Sequence, residues 1–234
     1  MRRTLVVLAC LLGAEGAQAT DIAATAPQSL TFTATRNGQQ LGTHTVRIVD
    51  QGGRRTVTTQ IDLTLKAAGL TVYRYVHNST EEWQGERLQS LASVTNDNGT
   101  QHKVHVRRHG DALRVEREQR LPVIKAASVE QIMPAETRSA VETQPGTMLP
   151  TALWSPKIAS QSRLLNTQHG MPSQIQVTRL GRETVRTSKG SVEAMRYRFS
   201  GDLKFDQWFD DRGRWVKAVF TAPDNSTIEY TLQE

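Results

Sequence analysis

Cysteine is nearly missing from this chain: its 234 residues contain one, Cys10. A lone thiol excludes a disulfide framework and any cysteine-rich zinc or iron–sulfur site. Aromatic residues are sparse, at 6%. The longest apolar run, Thr4 to Gly13, falls well short of the roughly 20 residues that a membrane-spanning helix needs. Catalytic signatures are absent as well. There is no Gly-x-Ser-x-Gly elbow, no His-Glu-x-x-His and no glycine-rich phosphate loop. Asn96-Asp97-Asn98-Gly99 superficially fits a calcium loop, but position twelve is His105 rather than glutamate.

What is present begins with an export signal. Met1-Arg2-Arg3 supplies a positive start, Leu5 to Leu12 an apolar core, and Ala17-Gln18-Ala19 a small-x-small cleavage pattern. Cleavage near Ala19 would remove Arg2, Arg3 and Glu15, reducing the net charge of +6 to +5. It would also remove Cys10, which lies inside the apolar run rather than at a lipidation position. A cysteine-free product suits an oxidising compartment, and the expectation is a periplasmic or secreted protein. Residues 1–19 are thus read as signal peptide and 20–27 as a flexible N-terminus.

From residue 28 onward the dominant period is two. In residues 56–65, Val57, Ile61, Leu63 and Leu65 share one face with Thr59, while Thr56, Thr58, Gln60, Asp62 and Thr64 form the other. That is the pattern of a half-buried antiparallel strand rich in β-branched residues. Leu30–Ala34 alternates likewise, and Asn37-Gly38 offers a hairpin turn into 41–49. Asn98-Gly99 and His109-Gly110-Asp111 separate further strands, and four more follow Val192. The expected fold is all-β and mainly antiparallel, a strongly curved sheet or barrel-like single domain over 28–234.

Between the two strand sets the period fades. Six of the eight prolines fall between Pro122 and Pro172. An N-terminal meander (28–120) and a C-terminal meander (172–234) are therefore joined by an irregular crossover (121–171). Ser155 as N-cap, Pro156 at the first position and Ile158, Leu164 and Leu165 behind them predict one crossover helix near 155–169. Neither strand set has enough apolar alternation to close comfortably alone, which favours one domain over two.

Few residues form a constellation for chemistry. His102 and His105, three apart, fall on opposite faces of a strand, and so do the adjacent pairs Glu81-Glu82 and Asp210-Asp211. No catalytic residue, metal ligand or cofactor is expected. The richest stretch is Leu70 to Trp83, where Tyr73, Tyr75 and His77 share a face. Its opposite face carries Leu70, Val72 and Val76, so both sides are expected to be covered. Rings with polar tips suit a pocket for an amphipathic molecule, and Tyr73, Tyr75, His77, Trp83 and Trp208 are the candidate ligand-binding residues. The expected partner is a small amphipathic ligand or lipid. Arginine-rich surface adds a second partner, an anionic envelope surface. Dispersed arginines and an export signal argue against nucleic acid.

Four stretches carry a family resemblance: Asn37-Gly-Gln-Gln-Leu-Gly-Thr-His44, Tyr73-Arg-Tyr-Val-His77 with Glu81-Glu-Trp83, Leu164-Leu-Asn-Thr-Gln-His-Gly170, and Trp208 to Lys217. In this order they resemble a family of exported bacterial proteins named only as a domain of unknown function, from about Leu30 to Leu232. The resemblance implies a secreted, β-rich domain and brings no catalytic residues with it. A non-enzymatic binding module is the leading expectation. An envelope interaction or assembly factor is the alternative, and a hydrolase using His77 with Glu81 or Glu82 is the third.

Overall fold

The computed structural model describes residues 28–122, 136–222 and 224–233. The expected signal peptide and the stretch 20–27 lie outside the described residues, as does 123–135 of the crossover.

Seven hairpin-linked strands follow one another: β1 (Gln28–Arg36), β2 (Gln39–Gln51), β3 (Arg54–Ala67), β4 (Leu70–Gln84), β5 (Arg87–Asp97), β6 (Thr100–His109) and β7 (Ala112–Arg120). An eighth, β8 (Thr137–Pro145), pairs antiparallel with β7. Two short strands come next, β9 (Leu149–Pro150) and β10 (Arg163–Leu165). The second meander is β11 (Pro172–Thr187), β12 (Gly190–Gly201), β13 (Phe205–Asp210), β14 (Trp215–Thr221) and β15 (Thr227–Gln233). β1 pairs with β15, setting Phe32 opposite Leu232, and this seam fuses both meanders into one sheet of fifteen strands among the described residues. Every pairing is antiparallel except β9 with β10.

All-β, mainly antiparallel architecture is what the period of two specified. The strand residues 56–65 bury Val57 and Leu63 and half-bury Ile61 and Leu65, all on one face. Turn chemistry follows too: Asn37-Gly38 and Asn98-Gly99 both hold positive φ at both positions, which is the type I′ geometry that matches strand twist.

Closure is incomplete. β8 and β9 end the strand order, and no ladder joins them among the described residues. Only Gly146, Thr147 and Met148 separate them, and that much chain spans about 14 Å at full extension. The sheet therefore curves until its two margins stand within that reach. Most of the apolar core lies on the concave side, where Phe32 and Trp215 stack with centroids 3.7 Å apart at the β1–β15 seam. A second cluster, Ile158, Leu164, Ile175, Phe199 and Phe205, packs the crossover against β11–β13.

The crossover helix near 155–169 is a correction. Ser155 does cap a start, accepting from the Lys157 N–H, and Pro156 does sit at the first position. The result is one 3-10 turn, Pro156–Ser160. Leu164 and Leu165 belong instead to β10, where Leu164 pairs with Leu149 and Ser173. Ladder bonds to two neighbouring strands outweigh what a helix this short gains. The crossover also contains β8, whose residues are all exposed or half-exposed. Without a buried face it shows no apolar alternation to read.

Candidate functional site

Parity along β4 builds the site. Tyr73, Tyr75, His77, Ser79, Glu81 and Trp83 all point to the concave side, and His77, Ser79, Glu81 and Trp83 are buried. Residues 151–168 cross in front of them. Ser93 Oγ on β5 donates to the Thr167 carbonyl at 2.6 Å, and on the far side Gln207 Nε2 on β13 donates to the Leu153 carbonyl at 2.6 Å. Pinned at both margins, this segment stands off the sheet and leaves a cavity of about 840 Å³. Ile61, Leu63, Leu164, Phe205 and Phe220 give it apolar walls.

Polar groups enter at set positions. Tyr73 Oη donates to Asp97 Oδ1 at 2.7 Å, Gln168 Nε2 donates to Asp97 Oδ2 at 3.1 Å, and Tyr75 Oη donates to Gln168 Oε1 at 3.2 Å. Burial, with Asp97 nearby, pushes both phenols above their ordinary range, so they are neutral donors. Deeper in, His77 Nδ1 shares a 2.7 Å hydrogen bond with Thr95 Oγ1. Burial lowers the His77 pKa to about 4. His44 lies two strands away in the same cross-strand row, His44 opposite Ile61 and Ile61 opposite His77. Its Nδ1 is buried without a partner, and burial, helped by His77, lowers its pKa to about 3. Both imidazoles are neutral at pH 7.

Glu81 is the one buried carboxyl in the lining. Trp83 Nε1 donates to its Oε2 at 2.9 Å and Trp154 Nε1 to the same oxygen at 3.3 Å. Burial raises its pKa to about 7, and the two indole bonds only partly offset that. At neutral pH a large share is therefore protonated and able to donate. The mouth is more polar: Arg36, bonded to Asp224, together with Asp202 and Lys204, borders the cavity where the β1–β2, β12–β13 and β14–β15 turns meet.

Of the expected ligand-binding residues, Tyr73, Tyr75 and His77 line this cavity. Trp83 stands behind it, edge-on to Trp154 at 5.9 Å between centroids, and reaches it only through Glu81. Trp208 is on the opposite face of the sheet. It is sandwiched by Arg196 at 4.9 Å and Lys217 at 5.4 Å, and its Nε1 donates to Glu183 Oε2 at 3.0 Å. Parity along β13 sets Trp208 on the face opposite Phe205, Gln207 and Phe209, and both faces are buried there; the bulge beside it leaves Val216 of β14 unpaired, between Trp215 and Lys217.

His44, Trp154 and Tyr230 also line the cavity and were not among the expected ligand-binding residues. A signal for His44 existed. The two-residue turn at Gly52-Gly53 sets Gln51 opposite Arg54, and counting back sets His44 opposite Ile61. The next hairpin defeats the same count, because a bulge at Val72 shifts β4 by one and brings His77, not Val76, opposite Ile61. Nothing local announces Trp154, which meets Glu81 from 73 residues away.

Acid–base chemistry finds a poor geometry here. His77 and Glu81 are four residues apart on one strand, about 13 Å between Cα atoms, and Glu82 faces outward, where it accepts from Ser90. Among the described residues no group of three or more His, Cys, Asp or Glu is placed to hold a metal ion. No described helix is long and apolar enough to cross a membrane.

Among curated proteins, none matches this chain. A family model described as a domain of unknown function, DUF6134, matches residues 32–233, from β1 through β15. With the match running over nearly the whole described sheet, the chain belongs to this family of unknown function.

Proposed function

We propose that this protein is a non-enzymatic binding module that holds an apolar or amphipathic ligand such as a lipid, exported to the periplasm or beyond by its N-terminal signal. One observation carries the reading: an apolar-walled cavity of about 840 Å³, with a few neutral polar groups set at fixed depths. That volume lies within the range of roughly 300–1,000 Å³ typical of small-molecule sites. Walls of Ile, Leu and Phe give affinity for hydrocarbon. Tyr75, His77 and Glu81 give hydrogen bonds to an uncharged polar group. The inner lining carries no lysine or arginine; Arg36 and Lys204 stand at the mouth. A ligand that matches this distribution puts its apolar body inside and any charged end outside.

The test is native mass spectrometry of the protein after mild extraction, followed by titration with a fluorescent fatty acid. A co-purifying small molecule, displaced by the probe, is the expected result. Ile61→Trp, which fills the cavity from β3, should abolish probe binding while leaving the melting temperature near that of the wild type. Probe binding undiminished in Ile61→Trp, or none in the wild type, would overturn the reading.

A further inference from the structure

The β3–β4 hairpin runs past its neighbours. The β2–β3 ladder ends at Gly42 opposite Leu63, and the β4–β5 ladder ends at Tyr75 opposite Asp97. Beyond these pairs residues 64–74 continue as a two-stranded ribbon with no ladder to β2 or β5. The ribbon is tied to the end of β5 at its base, where the Asn98 N–H donates to the Arg74 carbonyl at 2.8 Å and Tyr73 Oη to Asp97. It extends at the end of the sheet where the cavity opens, and its base, Leu65 and Tyr73, lines the cavity.

The tip of this ribbon is unusually apolar for such a position. Leu70 is 72% exposed and Val72 50%, the first being the most exposed large apolar side chain among the described residues. From Leu65 to Tyr73 the chain reads Leu-Lys-Ala-Ala-Gly-Leu-Thr-Val-Tyr, with one charge, positive, and no acid. The turn points the same way. Asn37-Gly38 and Asn98-Gly99, at the same end of the sheet, use asparagine for the first left-handed position, whereas here Ala68 adopts φ +50° ahead of Gly69. Alanine tolerates that conformation less well than asparagine. A methyl group stands where a polar side chain would fit the backbone better, which makes sense where the tip meets an apolar phase.

We infer that residues 64–74 dock the protein on a lipid bilayer, with Ala68, Leu70 and Val72 entering the interface and Lys66 meeting anionic head groups. The continuity between tip and cavity is the argument for a membrane rather than a protein partner. Leu70 and Val72 stand next along the ribbon from Leu65 and Tyr73, which line the cavity, so an apolar molecule leaving the bilayer at the tip would follow apolar side chains to it. A long lysine stem can lie along the ribbon with its ammonium at the head groups. The choice of surface rests on the lipid-holding reading above; the ribbon's exposure and apolarity do not.

Flotation with vesicles of phosphatidylethanolamine and phosphatidylglycerol in equal parts tests the inference. Wild type and Val141→Asp, an exposed valine on β8, should float, and Leu70→Asp/Val72→Asp should partition roughly ten-fold less or worse. The fluorescent fatty acid supplied in solution should bind all three alike. Equal flotation of the double variant, or none by the wild type, overturns the inference. So does a concentration-dependent dimer lost in the double variant without vesicle binding, since the ribbon then serves a second copy. Flotation that depends on the ribbon with no probe uptake keeps the docking surface and removes the lipid-holding reading. Probe uptake without flotation does the reverse.

Discussion

The indole Nε1 of Trp83 donates to Oε2 of Glu81 at 2.9 Å, two residues back on the same face of the same strand. The bond spans one pleat, so it needs no long-range packing to form, yet it holds a carboxyl in an apolar cavity wall. Burial raises the Glu81 pKa from 4.5 to about 7. A folded-state value above the unfolded one means that the native protein binds this proton more tightly. The resulting stability is whole below about pH 4.5 and is lost as pH rises through about 7.

Glu81→Gln removes that titration and keeps an oxygen for both indoles. Relative to the variant, the wild type should lose on the order of 3 kcal/mol of unfolding free energy between pH ~5 and pH ~9. Urea denaturation at the two pH values checks it. Parallel pH profiles would show that Glu81 does not titrate in this range.

His44 shifts in the opposite direction. Its folded pKa of about 3 lies below the ordinary 6.5, so stability is whole above pH 6.5 and is lost as pH falls toward 3. Nδ1 has no partner to orphan, and Trp215 and Tyr230 pack edge-on to the ring at 5.0 and 5.5 Å. His44→Leu should therefore be neutral or stabilising by about 1 kcal/mol at pH 7. Its advantage should widen at pH ~4, where the wild type must protonate a buried ring. A variant that unfolds more readily in acid than the wild type would contradict this account.

Gly42 marks where β2 parts from β3. A Cβ there would stand 1.9 Å from the Asp62 carbonyl oxygen, a backbone atom that cannot swing aside. Gly42→Ala should cost about 2 kcal/mol or more, because the strands must separate to admit one methyl. Thermal melts of the two proteins measure it, and an unchanged midpoint would mean that the ladder relaxes freely there.

Trp208 separates stability from binding. Its ring packs beneath Arg196 and Lys217 on the convex face, away from the cavity. Trp208→Ala should cost about 3 kcal/mol of stability and leave the fatty-acid affinity of the folded protein unchanged. Weakened binding at a temperature where the variant is fully folded would tie that face to the site.

Residues whose environment is set by their own strand were the readable ones. Val57, Ile61, Leu63 and Leu65 announce β3 by alternation, and the same parity places Tyr73, Tyr75 and His77 on one face. Trp83 shares that parity, but Trp154 arrives from the crossover and covers it, so facing inward is not the same as lining the cavity. Bulges break the count elsewhere, at Val72 on β4 and at Val216 on β14. β8 gave no signal because an edge strand with two solvated faces has no apolar period. Ser155-Pro156 marked a genuine helical start, and what stopped it was ladder pairing of Leu164 and Leu165 with the strands on either side in sequence, β9 and β11. The interaction that shapes the site, residues 151–168 pinned at Ser93 and Gln207, is long-range on both sides.

The β1–β15 seam has a kinetic consequence. Strands from opposite ends of the described chain meet at the middle of the sheet, so Phe32 waits for Trp215 and Leu232 before its ring is covered. Each half can zip its own hairpins early, since those contacts are local, but joining them requires closure across nearly 200 residues. Synthesis must run through Thr227–Gln233 before the last ladder can form. Until then β1 keeps one edge unpaired, and the two meanders stand as separate halves whose facing apolar residues are still uncovered.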